Sequence, residues 1–153
     1  MNQAILVNTL EKFLQHWNFL SEGFAILTNP KAGGQTKLSP KDYQRILLCS
    51  AVDDTVGGIL LLQSRRGINL GFVCVVNDST FLSPETATIF TIYSNEKCAS
   101  TMEELSYEAQ MWAKRRKFTK LTFNVHRITG AAKTFVEKKL QLEPSNLQFK
   151  KLL

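Results

Sequence analysis

Histidine and cysteine are scarce in this sequence, two of the first and three of the second. No CxxC pair and no Cys/His grouping at metal-ligand spacing occurs, which predicts no metal. An odd cysteine count argues against a disulfide framework. Cys49 and Cys74 stand inside the apolar runs RILLCSAV and GFVCVV, where a buried thiol acts as a small hydrophobe, and Cys98 alone falls in a loop. No apolar run reaches the ~18 residues of a membrane span. Glu11 and Lys12 interrupt the N-terminal segment where a secretory leader needs a continuous apolar stretch. These absences predict a soluble, cytoplasmic protein with no membrane contact.

What is present suits one domain over residues 1–153: the chain has 153 residues, 44% of them apolar, enough for a single buried core. The net charge of +6 is unevenly placed. Residues 1–111 carry 8 basic and 11 acidic side chains, whereas 112–153 carry 11 basic and 2 acidic. The C-terminal part would meet an anion first. Such a field attracts a phosphorylated cofactor, nucleic acid or an acidic protein alike.

Hydrophobic spacing supplies the elements. Leu6, Leu10, Phe13, Leu14 and Trp17 recur as on one helix face, with Asn8 or Thr9 as cap and QAILV before it as a possible first strand. The piece NPKAGGQTKLSP reads as a loop. The runs RILLCSAV, GGILLLQSR and NLGFVCVVN then read as an antiparallel meander. TATIFTIY follows as a strand, and MEELSYEAQMWAKRRK as a helix with Met102, Leu105, Ala109 and Trp112 on its core face. KLTFNVH is a strand, TGAAKTFVEKKL a short helix, and LQFKKLL a last strand. The expected class is a single α/β domain: a mixed, mostly antiparallel sheet flanked by helices.

The strand–loop–helix–strand–helix order from Ile89 to Leu142 resembles the cofactor half of the GCN5-related N-acetyltransferases. The closest match is FNVHRITGAAKTFVEKKLQLEP, similar to that family's strand ending in Asn-Val followed by a short helix; Asn124, Val125, Ala132, Phe135, Glu137 and Lys138 fall at matching positions. The chain departs from the pattern at Thr129, where the family commonly has Asn, and at Val136, where it often has a tyrosine acid. Leu140 and Gln141 replace its closing Gly-Phe. The resemblance implies acetyl-CoA as cofactor, an amine acceptor, and a cofactor site built from Ile92, Tyr93, Lys97, Cys98, Ala99, Ser100, Thr101 and Thr129.

In such a site backbone N–H groups at a helix start hold the pyrophosphate. Here NEKCASTMEEL has no glycine: Lys97 stands where Arg or Gln would, followed by the small residues Cys98 to Thr101. Ser100 with Glu103, and Thr101 with Glu104, also have capping-box spacing, so the same loop reads as an ordinary helix start whose carboxylates repel phosphate.

The catalytic groups stay open. TATIFTIY holds no carboxylate; Glu85 and Glu96 flank it, and each also reads as a surface charge. Tyr93 and Tyr107 are candidate proton donors or packed rings. His126, Arg127 and Lys133 border the cofactor entrance by the resemblance, or are plain surface groups. The cluster Lys114–Lys117 complements the end of a helix dipole or contacts phosphates. Two other functions fit the same residues. One is a fold retained without chemistry as a structural or interaction module, as in tailed phages; the other is a basic nucleic-acid-binding domain using residues 112–153. The acceptor and the oligomeric state are not specified.

Overall fold

The computed structural model describes residues 2–28, 38–95, 99–124, 143–145 and 148–153. In chain order these form β1 (Gln3–Leu6), α1 (Leu10–Ser21), α2 (Gly23–Thr28), α3 (Pro40–Val52), β2 (Gly57–Gln63), β3 (Asn69–Asn77), β4 (Thr86–Ser94), α4 (Ala99–Arg115), β5 (Lys120–Asn124), β6 (Glu143–Ser145) and β7 (Gln148–Leu152). All the described strands join one sheet, ordered β1-β2-β3-β4-β5-β7-β6. Only β4 and β5 run parallel; the other neighbours are antiparallel. The mixed, mostly antiparallel sheet flanked by helices expected from the sequence is what forms.

The sheet is covered on both faces because β2, β3 and β4 send alternate side chains to opposite sides. Leu60, Leu62, Val73, Val75, Ala87 and Ile89 pack with Leu105, Ala109 and Trp112 of α4. Ile59, Leu61, Phe72 and Cys74 pack on the other side with Phe13 and Leu20 of α1 and Tyr43 and Leu47 of α3. Among the described helices α4 therefore covers one face, and α1 to α3 share the other. A Schellman motif closes α4: Phe118 N–H donates to Ala113 O and Lys117 N–H to Lys114 O, both at 3.0 Å, with Lys117 at φ 65°.

Four sequence expectations change. RILLCSAV is the second half of helix α3, not a strand. Ser39 caps that helix, its Oγ accepting from Asp42 N–H at 3.1 Å, and Pro40 opens it. Tyr43, Leu47, Ser50 and Ala51 are its buried residues, at helical spacing. Cys49, expected in the core, is consequently exposed, while Cys74 is buried. In α1 the cap is Thr9, which accepts from Lys12 N–H. Leu6 belongs to β1, and Leu10 and Leu14 face solvent, so Phe13 and Leu20 carry the buried stripe. Finally, α4 starts at Ala99 rather than Met102. The predicted helix over 129–140, with Arg127, Thr129, Lys133 and Val136, lies outside the described residues, as do Val125 and His126.

Candidate active site

The site grows from an irregularity in β4. Along β3, Cys74 pairs with Thr91 and Val75 with Ile89, so Phe90 is an extra residue without a partner on β3. This is a β-bulge, which bends a strand and marks sheet positions where regular pairing ends. On its other edge β4 pairs with β5 only through Thr86, Ala87, Thr88 and Ile89. That lower half is clasped further: Glu85 O accepts from Thr119 N–H at 2.9 Å, and the Thr88 and Thr122 hydroxyls share a hydrogen bond. Beyond the bulge no described residue of β5 pairs with β4. The described pairing of β4 with β5 thus ends at Ile89 and Phe123, next to the bulge.

Which backbone groups line the opening follows from the ladder. Asn95 N–H donates to Leu70 O at 3.0 Å. Hydrogen-bonded pairs alternate in an antiparallel ladder, so Tyr93 and Thr91 also bond toward β3. Ile92 then turns its N–H and C=O toward the β5 edge. Its side chain is buried on the α4 face, so its backbone is what it offers the crevice.

Tyr93 points to the opposite face. Its ring meets Phe19 at 5.6 Å and Phe72 at 5.9 Å. Its hydroxyl donates to Glu22 Oε2 at 2.7 Å. Burial, then the hydrogen bond to Glu22 and that carboxylate's charge, push the phenol up to about 12. Tyr93 is therefore a neutral donor at any physiological pH. Glu22 sits at the junction of α1 and α2, where its N–H caps α1 on Leu20 and Phe19.

Four residues after β4 ends, α4 begins. Its N–H groups point back toward the end of the sheet where β4 opens. No acidic residue stands in its first turn, which corrects the expectation that Glu103 and Glu104 would repel a phosphate there. Glu104 is one turn further on and accepts from Asn2 Nδ2 at 3.2 Å. Ser100 and Thr101, the residues expected to cap the helix, are its second and third residues. Ser100 is exposed, but the Thr101 side chain is buried, so Thr101 can offer a ligand its N–H alone. Lys97, Cys98, Glu96 and Thr129 lie outside the described residues.

The remaining sequence candidates are not brought to the crevice. Glu85 precedes β4, at the clasped end. Tyr107 is 59% exposed, in the third turn of α4. Arg116 pairs with Asp54 at 2.7 Å, beyond the C-terminal end of α4, and its guanidinium lies 5.8 Å from the Trp112 ring. Lys114 to Lys117 thus stand at the opposite end of α4 from the crevice. Among the described residues no His/Cys/Asp/Glu group could hold a metal, and no helix is long and apolar enough to cross a membrane. Sequence reading missed the bulge at Phe90 and the carboxylate of Glu22. The bulge has a faint signal in TIFT, which alternates out of phase around Phe90; Glu22 has none, since its partner is 71 residues away.

No family model and no curated protein sequence matches the chain. Solved structures do. A GCN5-related N-acetyltransferase from Kribbella flavida is similar over 99% of this chain and 98% of its own, at 15% identity and a TM-score of 0.69. A ribosomal-protein-alanine N-acetyltransferase from Brucella melitensis is similar over 97% and 99%, at 14% identity and a TM-score of 0.70. A putative acetyltransferase from Salmonella typhimurium, solved with its cofactor acetyl-CoA, is similar over 99% and 94%, at 9% identity and a TM-score of 0.72. The fold is that of the GCN5-related N-acetyltransferases.

Proposed function

We propose that residues 1–153 form one acetyltransferase domain, which transfers an acetyl group from acetyl-CoA to a primary amine. The observation that carries this reading is the bulge at Phe90, next to the last described pair between β4 and β5 and followed by the start of α4. Ile92 N–H and C=O are placed to bond the amides of an extended pantetheine arm as a missing strand would. The first turn of α4, with Ala99, Ser100 and Thr101, takes the diphosphate in this reading, and the helix dipole favours that charge; Lys97 and Cys98 are assigned to it by the resemblance. Tyr93 borders the reacting end, and Thr129 is assigned to the cofactor by the resemblance. Bound acetyl-CoA supplies an activated thioester. The chain's part is to hold amine and thioester together, which turns a bimolecular encounter into an oriented one.

Calorimetry and thermal unfolding with acetyl-CoA test the reading. A ligand that binds only the folded state stabilises it by about 2.7 kcal/mol at a hundred times its Kd. Absence of binding heat and of any rise in Tm at saturating acetyl-CoA rejects it. Ser100→Trp should abolish binding with little change in stability, because the site is exposed. Val136 in place of a tyrosine acid favours a second reading, a scaffold that keeps the fold without the chemistry. Binding without turnover on any amine would identify it. A steep fall of nucleic-acid affinity with salt would instead favour the basic-domain reading.

A further inference from the structure

On the side of β4 away from α4, the Tyr93 hydroxyl reaches a carboxylate, that of Glu22. Glu22 is exposed, and among the described residues no cation pairs with it; its side-chain contact is the Tyr93 hydroxyl. Half-buried aromatic rings surround this point. Phe19 lies one helical turn before Glu22 and packs on Tyr93. Phe24 lies two residues after it and packs on Tyr43, which in turn meets Phe90 of the bulge at 6.2 Å. Tyr93 joins the two sides, since its neighbour Ile92 lines the crevice while its own hydroxyl reaches Glu22.

Glu22 and these rings lie on the α1–α3 side of β4. On the other face Ile92 is buried against the α4 core, with Leu105. A second substrate that came in over the α1–α3 side would pass Glu22 and its rings. A carboxylate held by a neutral phenol beside aromatic faces attracts a cation twice, by charge and by the ring quadrupoles. It repels an anion.

Resting on the acetyltransferase reading above, we propose that Glu22, positioned by Tyr93, recognises the ammonium group of the acceptor, and that the acceptor is a primary amine on an aromatic or apolar body. Amines that carry a second, anionic group are excluded by the same carboxylate.

The test uses the full chain, with release of the CoA thiol as readout and three probes: 2-phenylethylamine, ethanolamine and glutamate. 2-Phenylethylamine should be acetylated with a kcat/KM about tenfold or more above the other two, the ratio that ~1.4 kcal/mol of added contact gives. Glu22→Gln should raise its KM about tenfold, by loss of the charge pair, while acetyl-CoA affinity by calorimetry and Tm stay near wild type. Glu22→Asp should recover part of the loss, and Tyr93→Phe should give a smaller rise in KM than Glu22→Gln. The proposal is overturned if acetyl-CoA binds but the three amines react equally, or none reacts, or Glu22→Gln leaves KM unchanged. A chain that binds no acetyl-CoA overturns the acetyltransferase reading itself, and this inference with it.

Discussion

Single residues set how closely the layers can approach. Gly58 in β2 lies under the indole of Trp112: a Cβ built there would stand 2.5 Å from Nε1 and 2.7 Å from Cε2. Trp112 is fixed from behind by Phe118, whose ring stacks on it at 5.7 Å, so it has little room to retreat. Gly58→Ala should therefore cost about 1–3 kcal/mol, the usual penalty of an overpacked core, seen as a lower urea midpoint at unchanged slope. Cys74 gives a second prediction. Full burial pushes its thiol from 9.0 up to about 12. The folded state holds that proton more tightly than the unfolded chain, so its contribution is complete below pH 9.0 and is lost as pH climbs toward 12. Denaturant unfolding should show stability falling across that window, and Cys74→Ala should flatten the fall whatever its absolute cost. The burial of Cys74 was legible in its apolar run, but the exposure of Cys49 was not. RILLC is as apolar as GFVCV, and periodicity cannot separate a short buried strand from a helix segment. The Ser39-Pro40 pair just before it was the available signal, a capping serine and a proline suited to the first helical turn.

At the scale of elements the bulge decides what β4 can do. Phe90 is the extra residue, and both it and Thr91 stand on the α1–α3 side, Phe90 against Tyr43 and Thr91 opposite Cys74. Removing one of the two leaves a regular alternation in which Ile89 and Ile92 keep their places in the α4 core. Deletion of Phe90 should therefore still fold, with the loss of one ring contact, but it should straighten β4 next to the end of its described pairing with β5. The expected outcome is a cooperative thermal transition at a lower Tm together with loss of acetyl-CoA binding by calorimetry. Retention of binding would show that the bulge is not what opens the crevice. Of the described elements after Ser39, all but α3 and the short β6 were readable, because long periodic segments such as α4 and β4 carry strong signals. The start of α4 was misplaced by three residues, since ASTMEE contains two plausible caps and the helix begins at Ala99, ahead of both. That shift matters for function: it moves Glu103 and Glu104 out of the first turn.

At the scale of the molecule the sheet serves two cores at once. Each core holds one of the chain's two tryptophans, Trp17 on the α1–α3 side and Trp112 on the α4 side. Because β2, β3 and β4 feed both, neither core can dissolve without exposing the back of the other. Trp17→Phe and Trp112→Phe variants, each reporting through the remaining indole, should each show fluorescence and far-UV dichroism changing together in one denaturant transition; well-separated transitions in either variant would show that the cores unfold independently. The sequence by itself determined the class of fold, the buried stripe of α4 and the strands of the central sheet, because local periodicity and burial are written in neighbouring residues. Tertiary structure alone decided that β4 bulges at Phe90, that Ile92 turns its backbone away from β3, and that Glu22 meets Tyr93. Those facts depend on residues far apart in the chain arriving at one place, and on a register shift that leaves apolar content unchanged.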